Sequence, residues 1–288
     1  MSTHPSSLAR RSLLLLVTIN LFCYLDRYLL AAILPEIKEV FLAGDPRANE
    51  KAGWLTSAFL VSYMLTAPLF GWLADRRSRW MLIGISVAVW SLASGATGLA
   101  GSFVALLLTR VFLGVGEAGY GPAAPTIISD LYPVESRGRV LAWFFAAIPV
   151  GSALGYAFAG AVHHFTDNWR LAFYLVTPPG LLLAILCFLM RDPRKAHASA
   201  PALSQKKRSS VKDYRELLSI PSLRINILAQ TALTFAIGGL SVWVPTYLHE
   251  ERGQSIGSSN MIFGGIVVVA GLISTLLGGM LGDRLRKR

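Results

Sequence analysis

A chain of 288 residues in which 53% are hydrophobic and only 15% charged, with a mean hydropathy of +0.52, is poorly suited to water, since soluble domains carry about 25% charged residues. The formal net charge of +11 would indicate a nucleic-acid partner if the basic side chains shared one face. They gather instead between alternate apolar runs, which excludes a phosphate-binding surface and fits a multi-span membrane protein.

The first apolar run, 13–35, follows Arg10 and Arg11 in the manner of a signal peptide. Asp26 and Arg27 interrupt it and no small-residue cleavage site follows, so it reads as an uncleaved first span. Further runs predict spans at 52–74, 80–100, 103–125, 138–161, 171–190, 225–248 and 260–282. A helix of roughly 20 residues crosses a hydrocarbon core of about 30 Å. The ten-residue alternating pattern of a β-barrel is absent, so the expected class is an all-α membrane protein. Cys23 and Cys187 each lie in an apolar run and are expected to pack there, without disulfide or metal.

With the N-terminus in the cytoplasm, the inner segments hold twenty basic residues: Arg10 and Arg11, Arg76, Arg77 and Arg79, Arg137 and Arg139, nine in 191–224 and four in 284–288. The outer segments hold five: Lys38, Arg47, Lys51, Arg170 and Arg252. That asymmetry predicts that both ends lie inside, in a bacterial-type inner membrane or its equivalent. Residues 1–190 are expected to form a six-span bundle, 191–224 a basic cytoplasmic linker, and 225–288 the start of a second bundle. Within the linker, 211–220 suits either a short amphipathic helix on the inner leaflet or a solvated connection.

An internal repeat supports that division. Gly71-Trp72-Leu73-Ala74-Asp75-Arg76 ends the second span and Gly279-Met280-Leu281-Gly282-Asp283-Arg284 ends the eighth, an offset of 208 residues. Pro35 and Pro245 fall at a similar offset of 210. Spans seven and eight thus restart the plan of one and two, the parallel repeat of two six-span halves. Four more spans are expected by that plan, so the chain reads as a fragment or as a truncated product unable to transport alone.

The first repeat copy continues as Arg77-Ser78-Arg79. Gly71 would let helices approach, Asp75 sits at a helix end, and the arginines suit a gate that holds carboxylates in one state and frees them in another. This stretch resembles the signature loop between the second and third spans of the major facilitator superfamily, with Ser78 where glycine is usual and Trp80 where a basic residue is common. A second motif of that family is matched by Arg110-Val-Phe-Leu113-Gly114-Val-Gly116, and a weaker third by Gly151, Gly155 and Gly160 after Pro149. Within the superfamily, Asn20 to Tyr28 and the run Arg110 to Ala124 resemble the Spinster-type lipid transporters, and organic-anion symporters share parts of both. The resemblance implies a complete N-terminal six-helix bundle plus the first two helices of the C-terminal bundle. It also implies a monomeric secondary transporter working with protons, membrane lipids and a small-molecule or lipid substrate, without cofactor or nucleic acid.

Ionisable side chains inside spans are costly and mark cavities or partners. Arg110 and Glu117 are seven residues apart, on one helix face. Asp26 and Arg27 lie about 100° apart around their helix, so one is expected to face a cavity and the other a neighbouring helix. The expected coupling is that Asp26 or Glu117 takes the proton with Arg110 as partner, set against a static ion pair locking the first span to the fourth. The resemblance likewise assigns the positions of Asp26, Arg110 and Glu117 to proton coupling and substrate recognition. Arg27, Tyr24, Tyr28 and Tyr120 are candidates for the substrate cavity, with packing or interface anchoring the alternative for each tyrosine. Gly114, Gly116 and Pro122 in the fourth span and Gly151 and Gly155 in the fifth would let helices flex, or simply pack closely. His163 and His164 with Asp167 are not expected to hold a metal. P-loop, zinc spacing and nucleophile elbow are all missing from the sequence, which points to an ion gradient rather than ATP or enzymatic chemistry.

Overall fold

Backbone N–H and C=O groups in hydrocarbon have only each other to bond, so apolar runs of this length become helices. The structure, a computed structural model, describes residues 7–192 and 211–286. In chain order the helices are α1 (Ser7–Ala32), α2 (Leu34–Phe41), α3 (Ala48–Ala74), α4 (Arg79–Leu99), α5 (Phe103–Ala118), α6 (Tyr120–Leu131), α7 (Val134–Thr166), α8 (Trp169–Phe188), α9 (Val211–Ser219), α10 (Pro221–Glu250) and α11 (Ile256–Arg286). Eight stretches are long and apolar enough to cross a membrane, α5 and α6 together forming one. The chain is thus an all-α, multi-pass membrane protein with the eight spans expected.

Differences from the expected spans have local causes. The first does not run to Pro35: the chain leaves helical geometry at Ile33 and restarts as α2, with Pro35 in its first turn where its missing N–H costs nothing. The fourth divides at Gly119 and continues to Leu131, beyond the expected 125. The seventh begins at Pro221 rather than 225, again with proline at the helix start. The short amphipathic helix expected in the linker is α9, while 193–210 lie outside the described residues.

Successive spans run up and down, so each end of the bundle collects its own set of residues. One end carries α2 with Glu36, the finish of α7 and α10, and the start of α11; the opposite end carries Arg79 and the finish of α3. The strongest packing is α1 along α7, α4 along α8, α3 along α5 and α4 along α5, while α7 also packs along α11. Two apolar clusters fill the first six spans, one around Leu16, Trp80 and Ile127 and the other around Leu29, Leu55 and Phe173. The outer surface stays apolar, with Leu108, Phe112, Leu182 and Ile185 exposed, as suits a bundle solvated by lipid.

Glycine sets how closely two of these pairs approach. A Cβ on Gly155 of α7 would stand 2.5 Å from the Leu25 carbonyl oxygen of α1, and one on Gly116 of α5 would stand 2.6 Å from the Trp90 amide nitrogen of α4. The obstacle in both cases is backbone, which yields only if the helices separate. Gly151 makes the same approach to Leu21 one turn earlier, and Gly114 sets α5 against Phe59 and Tyr63 of α3. These glycines therefore serve close packing.

Gly155→Ala should lower stability by about 1–3 kcal/mol through overpacking, read as a lower unfolding midpoint in detergent. Gly138→Ala, on the same helix but with open space around its Cβ, should leave that midpoint unchanged or slightly raised.

Candidate functional site

Four ionisable side chains meet in the middle of the first bundle. Asp26 and Arg27 come from α1, and Arg110 and Glu117 from α5. Asp26, Arg110 and Glu117 are almost completely buried, whereas the Arg27 side chain keeps 26% of its surface accessible. The 100° between Asp26 and Arg27 acts as expected: Arg27 lines both cavities described below, and Asp26 points into the packed side of the bundle, where it accepts a hydrogen bond from Ser94 Oγ of α4.

The pairing differs from the expectation. Glu117 is held by Arg27, whose Nε donates to Oε2 at 3.1 Å and whose Nη2 meets the same oxygen. Arg110 and Glu117 share a face, but two helical turns separate them by about 11 Å along the axis. The adjacent helix α1 brings a cation closer. Arg110 Nη2 donates to Thr97 Oγ1 of α4, and its guanidinium lies 5.7 Å from the Phe173 ring centre. Asp26 and Arg110 are within electrostatic reach of one another, yet among the described residues no direct ion pair joins Arg110 to either carboxylate. Asp26 Oδ2, Glu117 Oε1 and Arg110 Nε are buried and lack a hydrogen-bond partner, a costly state for charged groups.

Arg27 is framed by rings, with its guanidinium carbon 4.8 Å from the centre of Tyr24, 4.9 Å from Phe59 and 5.8 Å from Tyr63. It stands where two spaces meet. A cleft of about 1690 Å³ runs between α3 and α10, and a smaller cavity of about 270 Å³ reaches inward past Tyr24 and Tyr28 to Arg110. The cleft is walled mainly by apolar groups such as Leu60, Met64, Ile227 and Phe235, with Asn226, Gln230 and Thr234 forming a polar line on α10. Tyr24 and Tyr28 are therefore cavity residues. Tyr120 is not: it is buried beside Trp90 and donates its hydroxyl to the Leu16 carbonyl at 2.7 Å, a packing role fixed by its place at the α6 start.

The gate motif separates into two kinds of residue. Gly71 approaches Pro122 of α6, Asp75 follows α3 as its C-terminal cap, and Arg76 is exposed, with its guanidinium stacked 4.0 Å above Trp72. Arg79, by contrast, is fully buried. Its Nη1 meets Asp130 Oδ2 at 2.7 Å, and its Nη2 meets Asp192 Oδ1 at 2.8 Å. Its backbone N–H donates to Asp192 Oδ2 at 2.9 Å. Arg79 thus ties the start of α4 to the end of α6 and to the residues after α8, within the first bundle. Gly279, Asp283 and Arg284 belong to the last turns of α11, and their side chains lie outside the described residues. No cluster of metal ligands occurs among the described residues.

Sequence reasoning missed Ser94 and Thr97, which bond one atom each of Asp26 and Arg110, because hydroxyls in apolar spans are common and nothing in their spacing selects them. It also missed Asp130 and Asp192 as partners of Arg79, which are 51 and 113 positions away. Arg79→Ala breaks the buried pair with Asp192, Asp130 being 39% exposed, and should destabilise the bundle by about 3–5 kcal/mol. The check is thermal unfolding in detergent, with Arg76→Ala as the near-neutral comparison.

Comparison with known proteins gives the family and the fold. The chain is 37% identical over 287 residues to human protein spinster homolog 1, covering 93% of this chain and 53% of that protein. Against protein spinster of Drosophila melanogaster it is 34% identical over 281 residues, covering 94% and 45%. The chain therefore spans about half the length of these curated relatives. Among solved structures it superposes on an inward-facing, unoccupied bacterial homologue of the human lysosomal transporter Spinster with a TM-score of 0.80 and 25% identity, covering 98% of this chain and 64% of that one. A D-xylose–proton symporter shares the fold, with a TM-score of 0.68 at 17% identity, over 94% of this chain and 68% of that one. The family model of the Major Facilitator Superfamily matches residues 16–288, and the chain belongs to that family.

Proposed function

We propose that this chain is the substrate-binding and proton-coupling part of a secondary active transporter that moves an amphiphilic, lipid-like molecule. The observation that carries the reading is the set Asp26, Arg27, Arg110 and Glu117, with Arg27 lining both the cleft and the smaller cavity and Arg110 lining the smaller cavity. Charges so deep in an apolar bundle are retained where they change partners. A proton on Glu117 cancels the charge that holds Arg27, and the freed guanidinium can then take an anionic head group in the same place. Asp26, with one oxygen bound by Ser94 and the other unpartnered, supplies a second carboxylate for the proton, with Arg110 as the nearby positive charge.

The cleft favours an amphiphile. Arg27 with its aromatic frame offers a site for a charged head, and the walls between α3 and α10 offer a long apolar surface for a chain. The bacterial Spinster homologue and the xylose–proton symporter, a transporter and a proton-coupled carrier by their descriptions, support the general reading. An organic-anion:proton symporter is the second reading, favoured by the same exposed Arg27 as a clamp for a carboxylate. In both, the excess of basic residues between alternate spans favours a cytoplasmic N-terminus, in our reading in a bacterial-type inner membrane, with the Glu36 end outward and Asp75 and Arg76 at the inner gate.

The test is uptake into proteoliposomes by the full-length protein under an imposed pH gradient, with a radiolabelled lysophospholipid and a short organic acid as alternative probes. Asp26→Asn, Glu117→Gln and Arg110→Ala should each slow gradient-driven uptake at least about tenfold, equivalent to about 1.4 kcal/mol in the barrier, while membrane insertion is retained. Undiminished proton coupling in all three would overturn the mechanism, and transport of the organic acid alone would select the second reading.

A further inference from the structure

A proline inside a helix removes one hydrogen bond and sets its ring against the carbonyl four residues earlier. In α10 that proline is Pro245, and the carbonyl left without its N–H belongs to Ser241. Both residues are buried. A buried carbonyl in an apolar bundle has little water to turn to, so its partner has to come from elsewhere in the protein.

The partner is a side chain of the other half. Tyr156 of α7 donates its hydroxyl to the Ser241 carbonyl. Tyr156 is fully buried, and its neighbours fix where the hydroxyl points. Its ring centre lies 5.4 Å from that of Tyr28 in α1 and 5.3 Å from that of Phe263 in α11, the second pair edge to face. A Cβ on Gly264 of α11 would stand 3.4 Å from the Tyr156 Cβ. One phenol of the first bundle therefore touches both spans of the second half. Tyr28 and Ser241 also line the smaller cavity that reaches Arg110.

This is a different kind of contact from the others between the halves. An acceptor inside an unbroken helix is satisfied by its own chain wherever the neighbouring helix stands. The Ser241 carbonyl is satisfied only while α7 lies alongside. Beyond the break, α10 carries Glu250, whose Oε1 meets Lys38 Nζ of α2 at 2.6 Å. At the same end Asn260 Nδ2 of α11 donates to the Ala32 carbonyl of α1 at 3.0 Å, a bond between the halves in which Pro245 takes no part.

We infer that Tyr156 is a positioning residue for transport: its hydroxyl stands in for the N–H that Pro245 lacks, and so ties the direction of α10 beyond the proline to contact between the halves. With the halves together the break in α10 is bridged, and Glu250 is held towards Lys38. With the halves apart the break is one bond short, and α10 bends there at less cost. The Tyr156 bond thereby favours the joined arrangement at the Glu36 end, to an extent that exists only because residue 245 is proline. It depends on neither the proton nor the substrate proposed above.

Pulsed electron paramagnetic resonance on the full-length protein in nanodiscs reads the joined fraction. Spin labels go at two exposed positions, Val104 at this end of the first bundle and Glu251 just past α10. Tyr156→Phe keeps the ring and removes only the donor, and should lower the ratio of short to long distances about tenfold by leaving a buried acceptor unmet. Pro245→Ala restores the N–H, so Tyr156→Phe added to it should change the ratio by no more than about twofold. Pro245→Gly supplies the same N–H if the alanine variant does not fold. Asn260→Ala should lower the ratio equally with proline or alanine at position 245. The inference is overturned by an unchanged distribution in Tyr156→Phe, by an undiminished effect of that change once the proline is gone, or by an Asn260→Ala effect that shrinks in the same way.

Discussion

The Arg27–Glu117 pair joins α1 to α5 where Glu117 has no access to water and Arg27 reaches only the cavity. Removing an ion from water costs several kcal/mol even after the protein relaxes, and partnership offsets that cost without making a buried pair a dependable source of stability. Everything around the pair is arranged to make it tolerable. Tyr24, Phe59 and Tyr63 turn their rings to the guanidinium, and the cavity leaves Arg27 partly solvated while Glu117 is sealed. The asymmetry gives the pair its chemistry, because the cation can be approached from the cleft and the carboxylate cannot.

The helices can afford this polar centre because their packing elsewhere is close and apolar. Gly151 and Gly155 bring α7 onto the α1 backbone, and Gly116 brings α5 onto α4, which fixes the two helices carrying the four charged groups. Arg79 performs a related task at the opposite end, gathering Asp130 and Asp192 and so tying together the ends of three spans. Arg79, expected in the gate motif, pairs within one bundle, while Asp75 and Arg76 lie near the surface.

Between the halves the balance is different. Contact runs along α7 and α11, from Gly160 against Gly257 to Pro149 against Gly271, and is joined by Lys38 with Glu250 and Asn260 with the Ala32 carbonyl, whereas α3 and α10 stand apart and leave the long cleft.

The sequence by itself determined the class, the eight spans and the identity of the charged residues, because length, apolarity and the cost of burying charge act locally and leave a readable pattern. It also showed that Asp26 and Arg27 must diverge, since helical geometry alone separates neighbours by about 100°. Pairing was decided only by the tertiary structure. Arg110 looked like the partner of Glu117 from their shared face, yet α1 supplies Arg27 at shorter range, and hydroxyls of α4 take up Asp26 and Arg110 instead. Tyr120 passed as a cavity residue until packing turned it to the Leu16 carbonyl, and Tyr156 and Ser241, 85 positions apart, had no sequence signal in common. Which side chains meet depends on how helices distant in the chain are set against one another, and periodicity along a single helix carries no information about that.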